Sequence, residues 1–121
     1  MGFREMIKKV QHYSGFSDKE SQAALECTTH VLASLLTEEE REDFASQLPR
    51  ELQEIALDTN TVTDKSEKDI LHEVVKRQQI DEGRAKKQLL ASWRALKDTV
   101  SPGEISDIRD QLTKTSAAIL Y

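Results

Sequence analysis

A chain of 121 residues with 17 Lys and Arg, 22 Asp and Glu and one cysteine is the size of one domain, too small for two full cores. The lone cysteine excludes an internal disulfide framework and points to a reducing, cytoplasmic setting, while the net charge of −5 argues against a nucleic-acid partner. Four glycines, two prolines and 32% charged residues are the balance of helices, and no apolar run approaches the ~20 residues of a membrane span.

At the N-terminus, Met1-Gly2-Phe3-Arg4-Glu5-Met6 puts charges where a signal peptide needs apolar residues, and Met6 stands where a myristoylation signal needs Ser or Thr. A first helix near Arg4–Tyr13 then aligns Met6, Ile7, Val10 and Tyr13 on one stripe. Gly15 suits a left-handed C-cap, with Phe16 as the apolar contact that follows. Ser17-x-x-Glu20 is a capping box for a second helix, whose apolar face is Ala24, Leu25, Thr28, Val31, Leu32, Leu35 and Leu36. Thr37-x-x-Glu40 is another, with Glu38 to Glu40 against the positive end of the helix dipole and Phe44 and Leu48 as anchors. Pro49 suits the first position of a fourth helix, which buries Leu52, Ile55 and Ala56.

The polar stretch D-T-N-T-V-T-D-K from Asp58 to Lys65 then falls where a connector should, the connector itself being placed at residues 58–64. Beyond it, Ser66-x-x-Asp69 is a weaker capping box ahead of Ile70, Leu71, Val74 and Val75. Asp81 is the candidate N-cap of a long helix carrying Ala85, Leu89, Ser92, Trp93, Leu96 and Val100. Ser101-Pro102-Gly103-Glu104 combines a Ser cap, Pro at the first helical position and Glu at the third. No segment has the apolar alternation of a strand.

Sliding the chain against itself by about 64 positions superimposes these signals without a gap. Met6-Ile7-x-x-Val10 falls on Ile70-Leu71-x-x-Val74, Leu25 on Leu89, Leu32 on Leu96, and Gln47-Leu48 on Gln111-Leu112. Apolar positions match while polar ones drift, as a shared set of core positions requires. The expected architecture is an all-α bundle of about eight helices in one domain, residues 1–121. Two pseudo-symmetric four-helix halves, 1–57 and 65–121, would form it. Their charges differ in sign, about −5 for the first half and about +2 for the second.

The segment Leu35-Leu36-Thr37-Glu38-Glu39-Glu40-Arg41-Glu42-Asp43-Phe44-Ala45-Ser46-Gln47-Leu48-Pro49 resembles a bacterial family of unknown function. Its members carry a duplicated helical half with the pattern L-(S/T)-x-x-E-x-x-D-(L/F)-x-x-Q-L-P. The second half departs from it with Ile108 in place of Phe44 and Thr113 in place of Pro49, keeping Glu104, Asp107, Gln111 and Leu112. The resemblance implies an all-helical fold and a bacterial, cytoplasmic setting, and no activity.

Candidate sites divide between chemistry and structure. Glu40, Asp43 and Gln47, with Glu104, Asp107 and Gln111, occur at i, i+3 and i+7, so each trio lies along one side of a helix. Facing each other, the carboxylates Glu40, Asp43, Glu104 and Asp107 would make a symmetric metal or acid–base site. The structural reading is preferred here. Thr37, Glu40, Ser101, Pro102 and Glu104 are helix-start residues, and Gln47, Leu48, Pro49, Gln111 and Leu112 surround helix ends where an amide satisfies loop backbone.

Cys27-x-x-His30 has helical metal-ligand spacing, but His12 and His72 are the only other histidines and complete no site. Cys27 aligns with Ala91, as a core residue would, and His30 with Arg94, as an exposed one would. Arg84, Lys86, Lys87, Arg94 and Lys97 make the sixth helix basic, read as a solvated face or as attraction to the acidic first half. Trp93 is read as core. The leading expectation is a non-catalytic protein-interaction module with a protein partner or self-association. The alternative is a small-molecule or metal-binding domain with its site at the seam between the halves. No enzyme activity, cofactor, nucleic acid or membrane partner is expected.

Overall fold

The first apolar stripe winds α1 (Phe3–Ser14), which buries Met6, Ile7 and Val10 and stops at Gly15, whose φ of 77° only glycine adopts without strain. This computed structural model describes residues 1–58 and 70–111. Ser17 opens α2 (Asp18–Ser34) by accepting the Glu20 N–H at 3.1 Å. Glu20 does not close the capping box. Its carboxylate is held by the Arg84 guanidinium, with Nε at 2.7 Å, and by the Gln88 amide at 2.9 Å. The carbonyls at the end of α2 are satisfied by Arg41, which donates to Ala33 O at 2.9 Å and to Leu36 O at 3.1 Å.

Thr37 caps α3 (Glu38–Ser46), which buries Phe44 and Ala45. In α4 (Arg50–Leu57), Pro49 is the N-cap, not the first helical residue: its ψ of 155° is extended, so the turn begins one residue later. α5 (Ile70–Gln78) buries Ile70 and Val74, with Leu71 and Val75 half-buried. It ends at Gln79, whose φ of 54° is left-handed. Asp81 caps α6 (Glu82–Thr99) at 2.8 Å, and Ser101 caps α7 (Pro102–Gln111), with Pro102 its first residue.

The long helices α2 and α6 pack against each other, and α1 and α5 each lie against both. Leu25, Leu32, Leu89, Trp93 and Leu96 fill the space between them, all at most 1% exposed. α4 packs on α2 and α3, and α3 meets α7. Two ion pairs join the acidic and basic parts of the chain, Glu20 with Arg84 and Asp98 with Lys9, the latter at 3.0 Å. The basic sixth helix is thus attached to the N-terminal portion as well as solvated. The described residues form seven helices and no strand. The eighth expected helix, the Ser66–Asp69 box, Leu112, Thr113 and the connector after Asp58 lie outside them.

Candidate functional site

The two capping motifs fix where the acidic side chains stand. Thr37 Oγ1 accepts the Glu40 N–H and Ser101 Oγ accepts the Glu104 N–H, both at 3.3 Å, so each glutamate lies in the first turn of its helix. Neither glutamate returns a bond to its capping residue. The N–H of Thr37 goes to Gln111 Oε1 at 3.0 Å, and the N–H of Ser101 goes to Gln47 Oε1 at 2.8 Å. The amides at the helix ends therefore cap the opposite helix, not their own. Because each helix's end meets the other's beginning, α3 and α7 run antiparallel.

This pairing brings carboxylates together. One oxygen each from Glu40, Asp43 and Glu104 lies within 4.8 Å of the others. Asp107, the fourth candidate, is exposed and outside that group, although its charge is felt by Glu104. The three differ in burial: Glu104 is 6% exposed, Glu40 is half-buried and Asp43 faces solvent. Glu40 Oε1 and Glu104 Oε1 are both shut away from solvent and have no hydrogen-bond partner among the described residues. Burial first, then the Glu40 carboxyl, then the negative charges of Glu40, Asp43 and Asp107 push the Glu104 carboxyl from 4.5 up to about 8. A cluster of hard oxygen donors with one face open to water is a ligand set for Mg²⁺, Mn²⁺ or Ca²⁺.

Other candidates fall elsewhere. Cys27 is 8% exposed among core residues, and burial pushes its thiol up. His30 is half-buried, not exposed as expected: its Nδ1 accepts from Arg77, and its Nε2 lies 3.2 Å from the carbonyl of Asp58. His12 and His72 are exposed. Trp93 is core at 1% exposure, with the Arg109 guanidinium 5.8 Å from its ring centre. Sequence reasoning missed Arg41 as the cap of α2 and Gln79 as a left-handed stop. The second was available, since Gln79 stands at the same repeat offset from Gly15 as the other matched pairs.

A family model described as "Uncharacterized conserved protein (DUF2267)" matches residues 3–119, and the chain belongs to that family. No curated protein matches the chain.

Proposed function

We propose that this member of an uncharacterised family is a binding domain for one divalent cation of the hard, oxygen-preferring kind, held by Glu40, Asp43 and Glu104 between α3 and α7. The observation that carries this reading is the convergence of three carboxylates, two of whose oxygens are buried without a hydrogen-bond partner among the described residues. At neutral pH burial and the neighbouring Glu40 keep a proton on Glu104, and a dication bound there would displace that proton and offset the crowded negative charge. Asp43, on the solvent side, leaves positions for water, as Mg²⁺ and Mn²⁺ require.

The seam is read as the junction of two diverged copies of one unit, residues 1–57 and 65–121, within a single domain. Supporting this, α2 and α6 begin at Asp18 and Glu82, and α3 and α7 at Glu38 and Pro102, each pair separated by the repeat offset. Gly15 and Gln79, the two left-handed stops, share that offset. So do Gln47 and Gln111, which cap in reciprocal fashion. A bacterial, cytoplasmic setting belongs to the same reading, supported by the motif resemblance and by the single buried cysteine.

Metal binding is preferred to a partner-only module on surface grounds. Among the described residues the large apolar side chains that stand exposed are Met1 and Leu57. Two side chains fall short of the several-hundred-Å² patch that marks a docking face. Calorimetric titration of the metal-free chain with Mg²⁺, Ca²⁺ and Mn²⁺ tests the assignment. One site per chain is expected, weakened at least tenfold by Glu40→Gln or Glu104→Gln. Heats that are absent for all three ions, or that are unchanged in both variants, would overturn it.

A further inference from the structure

A second site, independent of the seam, lies on the opposite charge. The C-terminal end of α1 and the middle of α6 enclose a groove of about 510 Å³. Its apolar surface comes from Tyr13 and Leu90, with the buried Trp93 as its floor, and its rim from Lys87, Arg94 and Lys97. The three cations follow one another at i, i+7 and i+10 on α6, so they share a face and span about 15 Å.

None of the three forms an ion pair with a carboxylate among the described residues. Asp98, the nearby acid, is already engaged: it accepts from Lys9 at 3.0 Å and from the Tyr13 hydroxyl at 2.7 Å. Arg94 lies 4.1 Å from the centre of the Tyr13 ring, a contact that holds the guanidinium without consuming any of its N–H donors. The groove therefore concentrates three cations in a chain of net charge −5, with the charge of Asp98 felt at Arg94 but shared with Lys9.

The groove on the other side of the bundle differs in kind. It is lined by Cys27, His30, Ile55 and Arg77 among others. Its guanidinium is bound by Glu73 at 3.0 Å and by His30, so that side is neutralised by its own residues. Of these two grooves, the α1–α6 one is rimmed by three cations that form no ion pair among the described residues.

We propose that the α1–α6 groove binds a phosphate monoester carrying an aromatic or apolar body. A monoester places close to two negative charges and several acceptor oxygens on one head, matching several cations at once. The volume exceeds what a phosphate needs, and the half-buried Tyr13 and Leu90 supply a surface for a flat or apolar body, with the buried Trp93 behind them. A soluble ester and the headgroup of phosphatidic acid share this chemistry.

The test is a ¹H–¹⁵N spectral titration of the whole chain in chelator, so that no seam cation contributes. The probes are 1-naphthyl phosphate, neutral 1-naphthol and phosphatidylcholine vesicles containing phosphatidic acid. Saturable shifts confined to Tyr13, residues 87–97 and the Trp93 indole are expected with 1-naphthyl phosphate, and none of comparable size with 1-naphthol. The double variant Lys87→Gln/Lys97→Gln should lose at least tenfold in affinity, while Lys86→Gln, outside the groove lining, should match the parent. Vesicle uptake that needs Lys87 and Lys97 would uphold the site with a lipid as its source. Binding of the soluble ester without uptake would uphold it with a soluble source. No shift at residues 87–97, equal binding of 1-naphthol, or equal weakening by Lys86→Gln would overturn the proposal.

Discussion

Gln47, at the end of α3, accepts the backbone N–H of Ser101, the residue that opens α7, at 2.8 Å. Gln111 does the same for Thr37 at 3.0 Å. A helix start leaves N–H groups unpaired, and here each is closed by the other helix, which fixes the antiparallel register that gathers Glu40, Asp43 and Glu104. Both bonds are solvent-exposed, so Gln47→Ala and Gln111→Ala should each cost about 1 kcal/mol in urea denaturation. The two bonds pin opposite ends of one helix pair, so the double variant should depart from additivity by at least ~0.5 kcal/mol. Strict additivity would mean that each amide acts as an isolated cap.

The raised Glu104 carboxyl sets a pH dependence with a definite sign. Its ordinary value is 4.5 and its folded value about 8. Between these the folded chain keeps a proton that the unfolded chain has released, so this contribution is full below pH 4.5 and is lost as pH rises towards 8. In chelator, the thermal midpoint should fall across that window, and Glu104→Gln should flatten the fall. A variant with the parent's slope would refute the assignment to Glu104. At the acid end the sign reverses. Glu20, held low by its bond to Arg84, and Asp98, held low by its bond to the Tyr13 hydroxyl, stabilise the fold until pH drops through their depressed values.

Local signals carried most of the helix starts. Ser17, Thr37, Asp81 and Ser101 all cap where the sequence places them, because a cap depends on a side chain and a backbone N–H three residues apart. The apolar stripes of α2 and α6 were equally legible, since period and burial are tied together. What local pattern does not carry is the direction of a long-range bond. Glu20 and Glu40 satisfy the capping-box spacing, yet Arg84 takes Glu20 and the Glu40 partner position is filled by Gln111 from another helix. The four acidic candidates were readable as residues, but their sorting into a buried Glu104, a half-buried Glu40 and exposed Asp43 and Asp107 follows from how α3 and α7 cross. Pro49 slipped by one position for the usual reason that helix ends are decided by a single ψ angle.

Gln79 holds a φ of 54°, a conformation that costs a residue with a Cβ about 1 kcal/mol or more relative to glycine. Gln79→Gly should therefore leave stability unchanged or raise it by up to about 1 kcal/mol, after the added freedom of the unfolded chain is subtracted. A loss above ~1 kcal/mol would show that the Gln79 side chain holds the α5 terminus in another way. Gly15→Ala, at the other left-handed stop, should destabilise by about 1 kcal/mol.

Cys27 is buried, and burial pushes its thiol above the ordinary 9.0. Its reaction with a disulfide reagent at neutral pH should be at least a hundredfold slower in the native chain than in urea. Rapid native labelling would mean that the packing of α2 against α5 opens readily.

Paramagnetic broadening by Mn²⁺ tests most directly whether a divalent cation sits where α3 meets α7. Substoichiometric Mn²⁺ added to the ¹⁵N-labelled chain should first erase amide signals around Glu40, Asp43, Glu104 and Asp107, and Glu104→Gln should abolish that selectivity. Broadening spread over the exposed Glu38, Glu39, Glu51 and Glu54, or none at all, would contradict the account.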